Sequence, residues 1–538
     1  MLNYYPLDDD PIIPWRSYLY IPFTFVKEGL WVSRLRDLSK FMVGPLIFIF
    51  LSILPPLPWV GEAAATVNAP FITAPQISLG ILLWIASWWI TEYIPLGLTA
   101  LLAPLLFASL DLIKWSDALR SFMDPIIWIF MGGFVLAKAF QVWNLDKRIA
   151  FYFSTIYKGK SPMLKAFSIA CIPTFMLTIT GSITASTSLM YPIVLAYLVS
   201  TGFTRGSKFA EATMLALGQA ATAGAMFLLI STPPNLVAKK IIEEYFPNIT
   251  LTFFDWFIVG SLHAFLGLII SWLVVFKVIK VEVKEIALDI QLLSEKRKSL
   301  GPMGKGEKLV FSIFLLTLTL WLLPGILSII SNVNPQLEPI STAVRSALPE
   351  VLPAVLALFL LGLLKADGRR LLTWEDIETG IDWNVIFLFG GGIAMGRALE
   401  QSGFSEWLIL MITRLGGEWI KNPWLISALS AFLGFIITYP ASNTVSSLIV
   451  CPLAAALARG AGINPIPAVI SAALASSISS ALPSTTPPMA IVYASRYVKS
   501  WNMFKVGMIS DLIRLVLLII LEPYLADILL MTKGLKII

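Results

Sequence analysis

From about residue 41 to its C-terminus this chain is a succession of apolar runs, with no gap between them long enough for a soluble domain. That pattern leaves little choice of fold. In hydrocarbon every backbone N–H and C=O must be satisfied within the protein, and spanning helices meet that demand segment by segment. With 57% hydrophobic and 13% charged residues over 538 positions, and a mean hydropathy of +0.81, the sequence reads as one integral membrane unit. Spans are predicted near 41–60, 76–91, 94–113, 123–142, 207–240, 253–278, 308–331, 350–365, 383–400, 464–495 and 505–531. Two further segments, about 163–200 and 421–458, are long enough for two half-spans of roughly 15 residues joined at a tip. The expectation is an all-α polytopic membrane protein of about 11 transmembrane helices plus two re-entrant hairpins.

The two hairpin segments carry nearly the same break. Ser182-Ile183-Thr184 precedes Pro192 as Ser442-Asn443-Thr444 precedes Pro452, 260 residues later. A second pair follows, Thr232-Pro233-Pro234 and Thr486-Pro487-Pro488, at a lag of 254. Between them Glu92-Tyr93-Ile94-Pro95 answers Glu350-Val351-Leu352-Pro353, Trp115-Ser116-Asp117 answers Trp374-Glu375-Asp376, and Gly132-Gly133 answers Gly391-Gly392. An odd number of crossings separates matching elements, so the second copy is expected to be inverted. The boundaries are then a cytoplasmic N-terminal segment 1–40, a first repeat with its preceding helix 41–278, a cytoplasmic loop 279–307, and a second repeat 308–538.

Charge supports that drawing when both hairpins are taken as non-crossing. Lys27, Arg34, Arg36 and Lys40 place the N-terminus inside, and the long loop with Lys280, Lys284, Lys296, Arg297, Lys298 and Lys305 returns inside. The assigned outside loops 61–75 and 243–252 hold no Lys or Arg, and the C-terminus falls outside. Arg414, Lys421, Lys533 and Lys536 lie on the disfavoured side. The net charge of +6 therefore belongs to membrane topology, and no nucleic-acid partner is expected.

Enzyme chemistry finds little to work with. His263 is the single histidine and sits in an apolar run, which argues against a zinc site and a Ser/His/Asp triad. Cys171 and Cys451 lie in apolar segments without ligand spacing. Gly390-Gly391-Gly392 lacks a following Lys-Ser/Thr, so helix packing is expected there before phosphate binding. Glu92, Lys138, Glu211, Arg397, Glu400, Asp511 and Arg514 are ionisable groups in or beside apolar runs, where pairing or snorkelling competes with a functional role.

The breaks do carry chemistry. Irregular backbone at membrane depth is tolerated around a protein-lined cavity, and half-helix N-termini present N–H donors and about half a positive charge. Ser182, Thr184, Ser442 and Thr444 add hydroxyl donors, and the Asn443 amide can donate to a carboxylate while its oxygen faces a cation. Each Pro-Pro pair frees carbonyls suited to a hard cation such as sodium. A lone Ser-x-Thr is usually a packing feature and a lone Thr-Pro a kink. Both motifs in both halves, in one order, point instead to a carrier's binding site.

Those residues resemble the divalent anion/sodium symporter family of citrate, dicarboxylate and sulfate carriers. The marks are the Ser-Asn-Thr tip, the Thr-Pro-Pro breaks, the stretch Trp89 to Pro95 and the Gly-Gly pairs before each hairpin, together covering most of 76–500. The resemblance implies scaffold and transport domains, an elevator-like movement and a homodimer in the plasma membrane. Carried over residue by residue, it assigns the anion to Ser182, Thr184, Ser442, Asn443, Thr444, Thr232 and Thr486. It assigns sodium to Thr178, Ser182 and Ser231 in the first half and to Thr438, Asn443 and Thr485 in the second. Two departures stand out. Ser231 replaces a glycine, and Ile183 stands where the family has asparagine, which places the first sodium site in question. A shifted register would pair Ser186-Thr187-Ser188 with the second tip; the register keeping Pro192 opposite Pro452 is preferred. The expected function is sodium-coupled uptake of a C4-dicarboxylate, with sodium-independent exchange or sodium-coupled sulfate transport as alternatives.

Overall fold

Proline and glycine decide where the apolar stretches become helices. The computed structural model describes residues 30–246, 249–285, 291–415 and 421–535. The predicted N-terminal segment lies outside the described residues as far as residue 29, as do 286–290 of the predicted cytoplasmic loop and Lys536. The first helix, Leu30–Ile53, begins and ends earlier than the predicted 41–60 because Pro55, Pro56 and Pro58 follow it. Proline supplies no N–H to the carbonyls behind it and pushes its predecessor out of the helical region. A buried glutamine compensates. Gln76 Nε2 donates to the carbonyls of Leu51 (2.7 Å) and Leu54 (3.2 Å), and its Oε1 accepts from Leu57 N at 2.9 Å.

Among the described residues eight helices are long and apolar enough to cross a membrane, or nine if Pro335–Ala347 and Val351–Leu363, bent by 53°, count as one span. The eleven predicted spans are thinned by breaks. The predicted span 94–113 is Leu96–Ala100 followed by Leu102–Ser109, and 207–240 and 464–495 each unwind in the middle. Among the described residues the only strands form one two-residue ladder, in which Lys365–Ala366 pairs with Arg369–Arg370. Asp367 and Gly368 turn it with φ of 51° and 81°, the positive values that a tight two-residue hairpin turn requires.

The two hairpin segments fold as helix, tip and helix. In the first, helical turns from Pro162 to Leu177 and a 3-10 turn Thr178–Thr180 lead through Gly181, at φ 100°, to Ile183–Ser200. In the second, Pro423–Thr438 leads through residues 439–442 to Asn443–Gly460. The packing crosses between halves. Ile183–Ser200 lies on Pro487–Ala494 of the second half, and Asn443–Gly460 lies on Pro233–Tyr245 of the first.

Two long helices, Phe253–Ile279 and Ser500–Thr532, pack on each other along a polar seam. Ser271 Oγ and Ser510 Oγ are 2.8 Å apart, and His263 Nε2 lies 3.1 Å from Glu522 Oε2. Gly390-Gly391-Gly392 packs closely, as its sequence suggested, and Gly132 does so too. A Cβ on Gly132 would come within 2.9 Å of Ala354 Cα, and one on Gly391 within 2.2 Å of the Ala100 carbonyl oxygen. A charged cluster closes one end of the bundle, where Lys239 and Lys240 of Pro233–Tyr245 meet Glu350 (2.6 Å) and Asp124 (2.8 Å). Arg397 joins it at 3.5 Å from both Asp124 and Glu244.

Candidate functional site

Each broken helix stops well before its Pro-Pro pair and restarts on it. Lys208–Gly224 gives way to an irregular stretch that ends at Thr232, and Pro465–Ser476 to one that ends at Thr486. The two restarts match closely: Thr232 has φ −154° and ψ 149°, Thr486 φ −146° and ψ 147°, and a proline occupies the first helical position of both. Proline suits that place because its missing N–H has no intrahelical partner to lose. The Thr-Pro-Pro motif therefore marks the restart. The stop is set by side chains that take the free carbonyls: Thr178 Oγ1 donates to Gly224 O at 3.1 Å, and Thr438 Oγ1 donates to Ser476 O at 2.7 Å.

The second tip is an oxygen cluster centred on Asn443. Its Oδ1 accepts from Thr438 Oγ1 at 2.9 Å and from Ser479 Oγ at 2.8 Å. Thr485 Oγ1 donates to Ser479 O at 3.3 Å and Leu482 O at 2.8 Å, and Ser446 Oγ joins Gly434 O to Ser476 Oγ at 3.0 Å each. Asn443, Thr438, Ser479 and Thr485 are all buried. Amide, hydroxyl and carbonyl oxygens without a charged ligand are the donor set a hard monovalent cation accepts, once the rotatable hydroxyl hydrogens turn aside.

The first tip repeats the serine cap and lacks the amide oxygen. Ser182 Oγ accepts from Ala185 N at 3.1 Å, as Ser442 Oγ accepts from Val445 N at 3.3 Å, so both serines cap the second arm of their hairpin. This match, with Thr178 and Thr438 in like places, fixes the register that keeps Pro192 opposite Pro452; Ser186 and Thr187 instead bond back to Ile183 O inside the helix. Where Asn443 offers an oxygen, Ile183 packs on Ala221 and Ala225. Ser231 Oγ accepts from Leu228 N at 3.2 Å and braces the irregular stretch, and Asn235 Nδ2 donates to Ala225 O and Leu228 O.

The same tips also present backbone donors. Behind each capping serine, among the described residues, the N–H groups of Ile183, Thr184, Asn443 and Thr444 have no partner beyond the first turn. The restarts offer fewer donors, because Pro233, Pro234, Pro487 and Pro488 have none. Thr486 Oγ1 is buried without a hydrogen-bond partner. A buried unpartnered hydroxyl is costly unless something joins it. Sequence reasoning missed Ser476 and Ser479: the run Ser476-Ser477-Ile478-Ser479-Ser480 inside an apolar segment marks a break and does not say which tip it serves.

Residues 71–532 match the family described as the sodium:sulfate symporter transmembrane region. The chain belongs to the divalent anion/sodium symporters. It is thus an integral, multi-pass membrane transporter, as the transporters of this family are, and not an enzyme. This symporter is similar to the sodium-dependent dicarboxylate transporter SdcS of Staphylococcus aureus strain MRSA252, at 29% identity over 507 residues and 92% of each chain. The SdcS of strain NCTC 8325 matches equally, at 29% over 92% of each. Two solved structures align more loosely: MtrF of Neisseria gonorrhoeae, from a class of antimetabolite efflux pumps, and the YdaH transporter of Alcanivorax borkumensis. Their TM-scores are 0.47 and 0.44, at 13% and 12% identity, covering 76% of this symporter and 82% and 88% of the two chains.

Proposed function

We propose that this symporter carries a C4-dicarboxylate together with sodium, the anion between the two hairpin tips and the cation in the oxygen cluster around Asn443. One observation carries the reading: unpaired N–H donors and an uncharged oxygen cluster share one tip, at residues 442–444. Helix ends hold a dianion without a basic side chain, and sodium beside it offsets the charge that the anion brings. Similarity to a relative named as a sodium-dependent dicarboxylate transporter supports the substrate class.

The movement is an elevator. The two hairpins, two broken helices and two long helices form the transport domain, and the remaining spans the scaffold, in a homodimer of the plasma membrane. Counting each broken helix as one crossing and each hairpin as re-entrant gives eleven spans in two inverted repeats, with the N-terminus cytoplasmic and the C-terminus outside. The crossed packing of hairpins on the opposite half supports a shared site at the repeat interface.

The test is labelled-succinate uptake by proteoliposomes with and without a sodium gradient. Uptake is expected to need sodium and to be competed by other C4-dicarboxylates more strongly than by sulfate; competition led by sulfate would move the assignment to inorganic anions. Ile183 supports a second reading, exchange without sodium, because its packing on Ala221 and Ala225 removes a cation ligand from the first half. With only the Asn443 cluster working, the sodium dependence is expected to show a Hill coefficient of about one, and a coefficient clearly above one would mean a second cation site.

A further inference from the structure

We infer that the buried pair Asp511 and Arg514 directs sodium to the second half and excludes it from the first, an inference that rests on the sodium coupling proposed above. Both residues lie on Ser500–Thr532, one turn apart, with Arg514 Nη1 3.7 Å from Asp511 Oδ1 and both side chains buried. They point to different breaks. Asp511 Oδ2 accepts from Ser480 N at 2.6 Å and from the Tyr439 hydroxyl at 2.9 Å, and Oδ1 accepts from Ser480 Oγ at 2.7 Å. Ser480 follows Ser479, whose hydroxyl is on the Asn443 oxygen, and Tyr439 follows Thr438. The carboxylate therefore holds the residue that follows Ser479 by its N–H and hydroxyl, and the residue that follows Thr438 by its phenol.

The guanidinium stands at the other break. Arg514 Nη1 donates to Thr222 Oγ1 at 3.1 Å and Nη2 to Thr222 O at 3.2 Å. That carbonyl is free because the helix is failing there: Met226 N turns to Ala223 O at 3.4 Å. Thr222 is flanked by Ala221 and two residues on by Gly224, the turn that Ile183 covers from its other side. Gly267 makes room for the guanidinium, since a Cβ there would lie 3.0 Å from Arg514 Nε. A free carbonyl at a helix C-terminus is an attractive place for a cation. In the first half a tethered guanidinium already occupies it, beside an isoleucine. In the second half a carboxylate backs a cluster of neutral oxygens.

The ion pair is thus a fixed dipole across the two breaks, negative toward Asn443 and positive toward Thr222, and both residues act as positioning and specificity residues for sodium. The test uses the purified full-length protein in detergent, titrated with NaCl against choline chloride at constant ionic strength, reading the sodium midpoint of thermal stabilisation. Asp511→Asn is expected to raise that midpoint about tenfold or more. A merely structural role would lower the melting temperature at every sodium concentration and leave the midpoint in place, and that result overturns the inference. Should Asp511→Asn fail to fold, the charge-neutral pair Asp511→Asn with Arg514→Gln takes its place, and an unshifted midpoint there overturns it equally. For the first half, Ile183→Asn alone is expected to leave the steepness unchanged, whereas Ile183→Asn with Arg514→Gln steepens it. Steepening by Ile183→Asn alone refutes the role of Arg514. A wild-type protein indifferent to sodium would instead defeat the coupling itself.

Discussion

Asn443→Ala is expected to lower sodium-driven uptake by about 100-fold or more, the scale of losing an ion-ligand set and its outer support together. The amide oxygen is an acceptor shared by Thr438 and Ser479, so its removal takes the Asn443 acceptor from the buried Ser479 hydroxyl and leaves Thr438 on the Ser476 carbonyl alone. The same side chain stands at the first helical position after Ser442, in the turn whose N–H groups the proposed site gives to the anion. Cation and anion ligation fail at once. Saturating sodium therefore does not rescue the variant, which separates it from a change that weakens the cation alone. The measurement is succinate uptake over a sodium series in proteoliposomes, with the melting temperature as folding control. Uptake at the wild-type rate would remove Asn443 from both roles. Ser479→Ala, which takes away one hydroxyl and leaves the amide, is expected to raise the sodium requirement and keep uptake at high sodium.

Lys239→Ala is expected to destabilise the fold by about 3–5 kcal/mol, the usual scale for stranding buried partners of an ion pair. The residue is 4% exposed and its ammonium is satisfied three times, by Glu350 Oε2 at 2.6 Å, Glu243 Oε1 at 2.5 Å and Leu251 O at 2.7 Å. Without it, Glu243 and Glu350 are left as neighbouring like charges, Glu350 largely buried and Glu243 partly exposed. Replacing both ends by apolar groups removes that conflict, so Lys239→Met with Glu350→Leu is expected to recover most of the loss. Thermal unfolding of the purified variants decides it. A single variant as stable as the parent would show that the cluster contributes nothing to folding.

Much of this was written in the apolar runs and their punctuation. Long runs such as 253–278 and 505–531 became helices close to their predicted bounds, the first without proline and the second continuing through Pro523, because a long apolar run in a membrane must satisfy its backbone within a helix. Proline told where helices restart and misled about where they stop. At 464–495 the helix ends at Ser476, ten residues before Thr486, because Thr438 takes the Ser476 carbonyl across the fold. A contact between residues 38 positions apart leaves no local mark. Four short amphipathic helices, Leu145–Ser154, Gln291–Ser299, Glu338–Ala347 and Phe404–Leu415, were also unforeseen, since their apolar faces are too narrow to register as runs. At the site, the tips and the Ile183 departure were legible from the repeat. The partners Ser476, Ser479 and Asp511 were not assigned, because nothing in one sequence aligns a serine run or a lone carboxylate with a hairpin tip.

The crossed packing of the hairpins has a consequence for biogenesis. The face of Ile183–Ser200 that rests on Pro487–Ala494 leaves the ribosome nearly three hundred residues before its cover. At about 5–20 residues per second that is about 15–60 s during which a proline-containing helix with a hydroxyl-rich first turn waits in or beside the insertion machinery without its permanent neighbour. Neither half can therefore mature alone, and whatever shelters a nascent hairpin during that interval is as much a requirement of this protein as its own sequence.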